Sequence, residues 1–162
     1  LGLALAFEPS EPGTMRRPPR ARDAPLLTGR LIWQIVLVSA LILTAVFGVY
    51  FYAMDKGYPT PLAQTMAMNM LVVLQVFYMF FIRNIHGPSL TWAAARGTRV
   101  VWACVIAVTA AQCAITYLPP FQAVFGTQAV PLFDGIVIIA VGVAFFALIE
   151  TEKQMRLAFL PR

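Results

Sequence analysis

The sequence predicts an all-α fold: a polytopic membrane bundle of four transmembrane helices, preceded by a Pro- and Arg-rich cytoplasmic loop. Three observations predict it. The 162 residues are 60% hydrophobic and 12% charged, whereas a soluble domain carries about 25% charged residues. Four segments stay apolar over the ~20 residues that a bilayer crossing takes. The cations fall almost entirely on one side of those segments. A soluble helical bundle is excluded by the charge content. The placement of the cations makes the net charge of +5 a matter of topology, so no nucleic-acid partner is expected.

Residues 1–30 read as the end of a preceding helix and a cytoplasmic loop, and residues 31–162 as the four-helix bundle with a short cytoplasmic tail. The opening LGLALAF lacks the basic start and small-residue cleavage site of a signal peptide. It reads as the tail of a longer helix, and the chain as a C-terminal piece of a larger protein. FEPSEPGTMRRPPRAR follows at 7–22. Pro9, Pro12, Pro18, Pro19 and Pro25 each remove a backbone donor and fix φ, so a compact loop against the membrane face is expected.

The spans are read at 31–51, 62–82, 100–117 and 132–149. Asp55, Lys56, Gly57, Pro59 and Pro61 mark the first break. Residues 83–99, with Gly87 and Pro88, mark the second. Pro119, Pro120, Gly126 and Pro131 mark the third. Arg16, Arg17, Arg20, Arg22 and Arg30 precede the first span. Arg83, Arg96 and Arg99 separate the second and third, and Lys153, Arg156 and Arg162 follow the fourth. Lys56 alone lies opposite, so eleven of twelve cations share one side. By the positive-inside rule that side is cytoplasmic, as are both termini.

Small residues recur at helix-contact spacing, as Ala40, Thr44 and Gly48 and again as Ala103, Ala107 and Ala111. Such stripes let helices approach closely in lipid. Asp55, Asp134 and Glu150 lie at or outside span ends, and no carboxylate sits at a bilayer centre. A proton-coupled device built on a buried acid is therefore not expected. Asp134, just before Gly135, reads as a helix cap. Trp33, Trp92, Trp102, Tyr50, Tyr52, Tyr58 and Tyr117 cluster near span ends as an aromatic belt. Cys104 and Cys113 fall on opposite faces of one helix and read as buried thiols without metal spacing. His86 reads as a surface residue of the second loop.

Gln75 is the polar group that most needs an explanation. An amide past the middle of a span must find partners, because lipid offers none. It either bonds a neighbouring helix or offers its carbonyl oxygen to a cation. Thr65 and Asn69 share another face, about 120° away from Gln75. Tyr78 lies one turn beyond Gln75. Gln34, Gln112, Thr44 and Thr109 are lesser cases, and Thr can return its hydroxyl to its own backbone. No phosphate-binding, nucleophile-elbow or zinc motif is present, so no catalytic residue and no metal site is expected.

Several of these segments resemble one family. LALAFEPSEPGTMRRPPR is similar to the end of the sixth membrane helix and the following loop of P-type cation-transporting ATPases of the calcium-pump and sodium-pump type. AMNMLVVLQVFYMFFIR resembles the eighth helix, TYLPPFQAVFGT the last outer loop, and ALIETEKQMR the tail. The resemblance implies that the four spans are helices seven to ten. It implies a pump that hydrolyses ATP with Mg in other domains, with this part buttressing the ion-binding helices. No cofactor is expected in this part itself. The implied partners are the lipid bilayer, the remaining membrane helices and cytoplasmic domains, and a transported cation. The location implied is a bacterial plasma membrane, in keeping with ten Arg to two Lys. Gln75 matches an eighth-helix position that often carries an ion ligand. Relatives are often acidic there, and where they often have Asn six residues on, this chain has Phe81. Arg16, Arg17 and Arg20 match a segment coupling the phosphorylation domain to the membrane. The alternative reading is a self-contained four-helix membrane protein, a small exporter or an anchoring subunit.

Overall fold

The computed structural model describes residues 29–82 and 99–159. Most of them fall in five helices: α1 (Gly29–Asp55), α2 (Thr60–Ile82), α3 (Arg99–Tyr117), α4 (Pro119–Phe125) and α5 (Leu132–Phe159). Four of these are long and apolar enough to cross a membrane, at Leu31–Asp55, Thr60–Ile82, Arg99–Tyr117 and Leu132–Met155. The all-α fold with four spanning helices is therefore as expected, and the described residues contain no strand. The loop residues Arg16, Arg17 and Arg20, and also His86 and Trp92, lie outside the described residues.

Helix ends follow local chemistry more than hydropathy. α1 runs four residues past the expected Phe51, because Tyr52, Ala53 and Met54 are all helix-compatible. It stops at Gly57, whose φ of 76° suits a residue without Cβ. The Gly57 amide donates to Met54 O at 2.9 Å and the Tyr58 amide to Ala53 O at 3.1 Å. These paired bonds form a Schellman motif and satisfy two terminal carbonyls. α5 continues ten residues past the expected Ile149, because Glu150, Glu152, Lys153, Gln154 and Met155 are good helix formers. The third break contains the short α4, which begins on Pro119 and Pro120. Proline is tolerated there because first-turn amides lack intrahelical acceptors. It ends at Gly126 with φ 66° and a bond to Gln122 O.

α2 is the hub of the bundle, packing against α1, α5 and, more sparsely, α3. Val38, Val49 and Ala53 of α1 meet Leu62, Ala63, Met66, Met70, Leu74 and Phe81 of α2 and Ile138, Phe145 and Ile149 of α5 in one apolar core. The α5 residues recur at seven- and four-residue intervals, which places them on one helix face. A second, smaller cluster of Met79, Val101 and Val105 ties α3 to α2 near the other end.

α5 approaches α2 closely at Gly142. A Cβ there would lie 2.6 Å from Val73 Cγ1 and 2.8 Å from Phe77 Cε2. The two small-residue stripes play no such part. Ala40, Thr44, Gly48, Ala103, Ala107 and Ala111 are all exposed, and a Cβ at Gly48 would meet nothing within 4 Å. A small stripe shows where close approach is possible, not that a partner is present within this chain.

Two contacts fix the relative directions. Lys56, after α1, meets Asp134 at the start of α5 at 2.9 Å. At the opposite end, the Lys153 ammonium of α5 lies 4.9 Å from the Phe81 ring of α2. Consecutive spanning helices therefore alternate in direction. Lys56 stands at one end, and Arg99 and Lys153 stand at the other.

Candidate functional site: polar groups of the membrane helices

Gln75 is exposed on α2, on the same strip as Gln64 and Leu71. Residues 64, 71 and 75 share a face by the seven- and four-residue intervals. None of α1, α3 or α5 covers that strip, and no described residue bonds the Gln75 amide. Tyr78, one turn on, is half-buried and stacks on Phe81 with ring centroids 6.0 Å apart. The structure does not join Gln75 to Asn69, in keeping with their angular separation.

Asn69 belongs to a different group. Its Oδ1 accepts from Gln112 Nε2 and from Thr116 Oγ1 at 3.0 Å, linking α2 to α3. Thr65 donates to Pro61 O at 2.7 Å and accepts the Gln128 amide at 3.1 Å. Gln122 Nε2 donates to Thr116 O at 2.6 Å, and Thr127 Oγ1 to Ile115 O at 2.6 Å. The last carbonyls of α3, which a helix end leaves without intrahelical partners, are thus capped from α4 and the loop after it. Thr44 returns its hydroxyl to Ala40 O at 2.8 Å, as expected for a threonine in lipid.

At the Lys56 end lies a clasp that sequence reasoning did not find. Asp134 is 1% exposed. α5 begins at Leu132, so Asp134 sits within its first turn and is not the cap expected of it. Its Oδ1 accepts from Lys56 Nζ at 2.9 Å and from the Tyr52 hydroxyl at 3.2 Å, and its Oδ2 accepts from the Tyr58 hydroxyl at 2.9 Å. The helix N-terminus favours the negative charge as well. The Lys56 ammonium lies 4.7 Å from the Tyr52 ring centre, 5.3 Å from Phe133 and 5.6 Å from Tyr58, a cation over aromatic faces. The Tyr52 and Asp134 side chains push the Lys56 pKa well above its ordinary value. Hydrogen bonding to Asp134 raises the Tyr58 phenol as well. The available signal was that Lys56 is the lone cation at its end of the spans and Asp134 is an acid at that same end.

The two thiols differ. Cys104 packs beside the second cluster with Val76 and Phe80. Cys113 is exposed, contrary to the buried role expected of both. At the far end of α5, Lys153 is buried and its ammonium lies 3.1 Å from the Glu150 carboxylate.

Residues 1–155 match the family described as "Cation transporting ATPase, C-terminus". The chain belongs to that family. "Probable cation-transporting ATPase F" of Mycobacterium tuberculosis is 40% identical over 159 residues, which are 96% of this chain and 17% of that protein. "Cation-transporting ATPase pma1" of Synechocystis is 31% identical over 130 residues, 77% of this chain and 14% of that protein. "Calcium-transporting ATPase 1" of Schizosaccharomyces pombe is 26% identical over 153 residues, 94% of this chain and 17% of that protein. The chain therefore spans 14–17% of the length of these relatives. As a C-terminal domain of this ATPase family, its four apolar helices make it an integral membrane protein. Gln75 and the Asn69 group are then polar groups inside a membrane domain.

Proposed function

We propose that the chain is the helix seven-to-ten membrane part of an ATP-driven cation pump and buttresses its ion-binding helices. In that pump ATP and Mg act in other domains. The carrying observation is the uncovered strip of α2. Gln64 and Gln75 are exposed on it while the opposite faces of α2 are packed. An amide in lipid needs a partner, and a transported cation or a helix beyond those described would supply one. Gln75 is the candidate ligand, through its carbonyl oxygen. Being neutral, it adds coordination without charge. Arg16, Arg17 and Arg20 are candidates for the loop that couples the phosphorylation domain to these helices. The cation excess on the Arg99 and Lys153 side supports cytoplasmic termini. The Mycobacterium and Synechocystis relatives support a bacterial plasma membrane.

The test is ion-activated ATPase activity of the whole pump carrying Gln75→Ala. The expected outcome is a higher cation concentration for half-activation at unchanged expression. Unaltered cation dependence would leave Gln75 as a helix-contact residue and remove the ligand role.

A further inference from the structure

The Lys56 clasp is built like a binding site whose ligand is part of the chain. Asp134 is buried, and both of its oxygens are bonded by α1 and the turn after it. Lys56 and Tyr52 meet Oδ1, and Tyr58 meets Oδ2. The Tyr52, Phe133 and Tyr58 rings lie around the ammonium, with centres at 4.7, 5.3 and 5.6 Å. A negative charge among aromatic faces is suited to an ammonium ligand. Lys56 enters from beyond the span that ends at Asp55, and its side chain is 35% exposed. Water therefore reaches the site along the lysine stem.

The groups present define the ligand class. A buried carboxylate demands a positive partner, because an unpaired charge is costly away from water. Among the described residues, one carboxylate and two phenol oxygens meet there, and both phenols donate to the carboxylate. A calcium ion, which takes about six to eight oxygens, is poorly served. Oδ1 accepts an N–H, which a primary ammonium offers three times over and a quaternary one lacks. A short tether holds its ligand at an effective concentration on the order of millimolar, so Lys56 outcompetes dilute free cations.

We propose that Tyr52, Tyr58, Phe133 and Asp134 form a binding site for a primary alkylammonium, and that Lys56 is its tethered occupant. The tethered ammonium locks the turn after α1 to the start of α5 and keeps free cations off the buried carboxylate.

The experiment removes the tether and supplies the ligand free. Lys56→Ala lacks the side chain beyond Cβ, which is propylammonium atom for atom. The variant is made in the full-length protein, which is purified from its native membrane into nanodiscs. Amide hydrogen exchange is then followed by mass spectrometry at the two sides of the clasp. The reporters are the Gly57 and Tyr58 amides, bonded to Met54 O and Ala53 O, and the Gly135 amide, bonded to Pro131 O at 2.9 Å. The expected result is severalfold faster exchange at both sides in Lys56→Ala. Propylammonium chloride at tens of millimolar, above the effective concentration of a short tether, should slow it again in a saturable way. Propanol, tetramethylammonium chloride and sodium chloride at the same concentration should not. The parent, whose site is filled, and the double variant Lys56→Ala, Asp134→Asn should not respond to propylammonium.

Exchange unchanged by Lys56→Ala, or restored equally by propanol or sodium chloride, would overturn the proposal, and so would no response of Lys56→Ala to propylammonium. A second measurement keeps Lys56 in place, should its removal impair folding. Acylation of Lys56 by an amine-reactive ester should be severalfold slower in the parent than in Asp134→Asn. Equal rates would mean that the carboxylate does not hold the ammonium. All these readouts are local to the clasp, so their failure leaves the pump reading standing.

Discussion

Adding one methyl group at Gly142 should separate α5 from α2. A Cβ at that position lies 2.6 Å from Val73 Cγ1, and 2.8 and 3.0 Å from two atoms of the Phe77 ring. Carbon atoms rest at about 3.5–4.0 Å, so the helices must part by about 0.9 Å or the ring must swing. Overpacking of this kind costs about 1–3 kcal/mol. A helical Gly→Ala change by itself gains about 1 kcal/mol. The informative quantity is therefore Gly142→Ala measured against Gly48→Ala. The Gly48 site has nothing within 4 Å and should show the gain alone. The overlap should make Gly142→Ala about 1–3 kcal/mol worse than that control. Thermal unfolding in a single detergent, followed by loss of the monodisperse peak in size-exclusion chromatography, measures the order. Val73→Ala removes the nearest methyl and should recover part of the loss in the double variant, a coupling that independent sites would not show. Equal behaviour of Gly142→Ala and Gly48→Ala would refute the close approach of α2 and α5.

Two further outcomes concern the polar contacts. Asp134→Asn should destabilise the bundle by about 1–3 kcal/mol, because buried donors and acceptors lose their match. Lys56 and Tyr58 both have raised values relative to 10.5 and 10.0. Their contribution is thus complete below about pH 10 and falls as pH rises toward their folded values. Thermal stability from pH 8 to 11.5 should fall more steeply in the parent than in Asp134→Asn, and parallel curves would count against the clasp. Asn69→Leu should cost about 0.6–1.7 kcal/mol, the range for interhelical bonds in membranes. It should also raise amide exchange in α3 above that in α1, while uniform exchange would place the loss elsewhere.

The four spans were legible because apolar runs of bilayer length are interrupted by Pro, Gly and charge. Their ends were less so. Hydropathy reports where lipid stops, whereas Glu150 to Met155 continue the helix by propensity and by the contacts of Glu150 with Lys153 and Gln154. Asp134 looked like a cap because Asp before Gly at a span start fits one; the helix begins two residues earlier, and its carboxylate is claimed from across the bundle. The Asn69–Gln112 pair was hidden for a geometric reason. Asn69 lies nine residues from the start of α2 and Gln112 five from the end of α3, so counting depth along straight helices does not align them. Gly142 carried no small-residue motif, and its role depends on Val73 and Phe77 lying opposite.

The faces left bare by this packing bear on function more than the packed ones. α2 gives its faces to α1, α5 and α3 and keeps one strip open, and that strip carries Gln75. α1 and α3 turn their small-residue stripes outward as well. In a bilayer an exposed leucine or alanine is already satisfied by lipid, so the stripes alone demand nothing. A glutamine amide is different, because hydrocarbon cannot bond it. Whatever meets Gln75 therefore comes from outside the five described helices, and only a group that bonds an amide oxygen or nitrogen meets the requirement. A helix bearing a polar side chain would do so permanently. A transported cation would do so only when bound, leaving the amide to water at other times. Cation-dependent activity of Gln75→Ala separates the two, because a permanent helix contact affects assembly at every cation concentration alike.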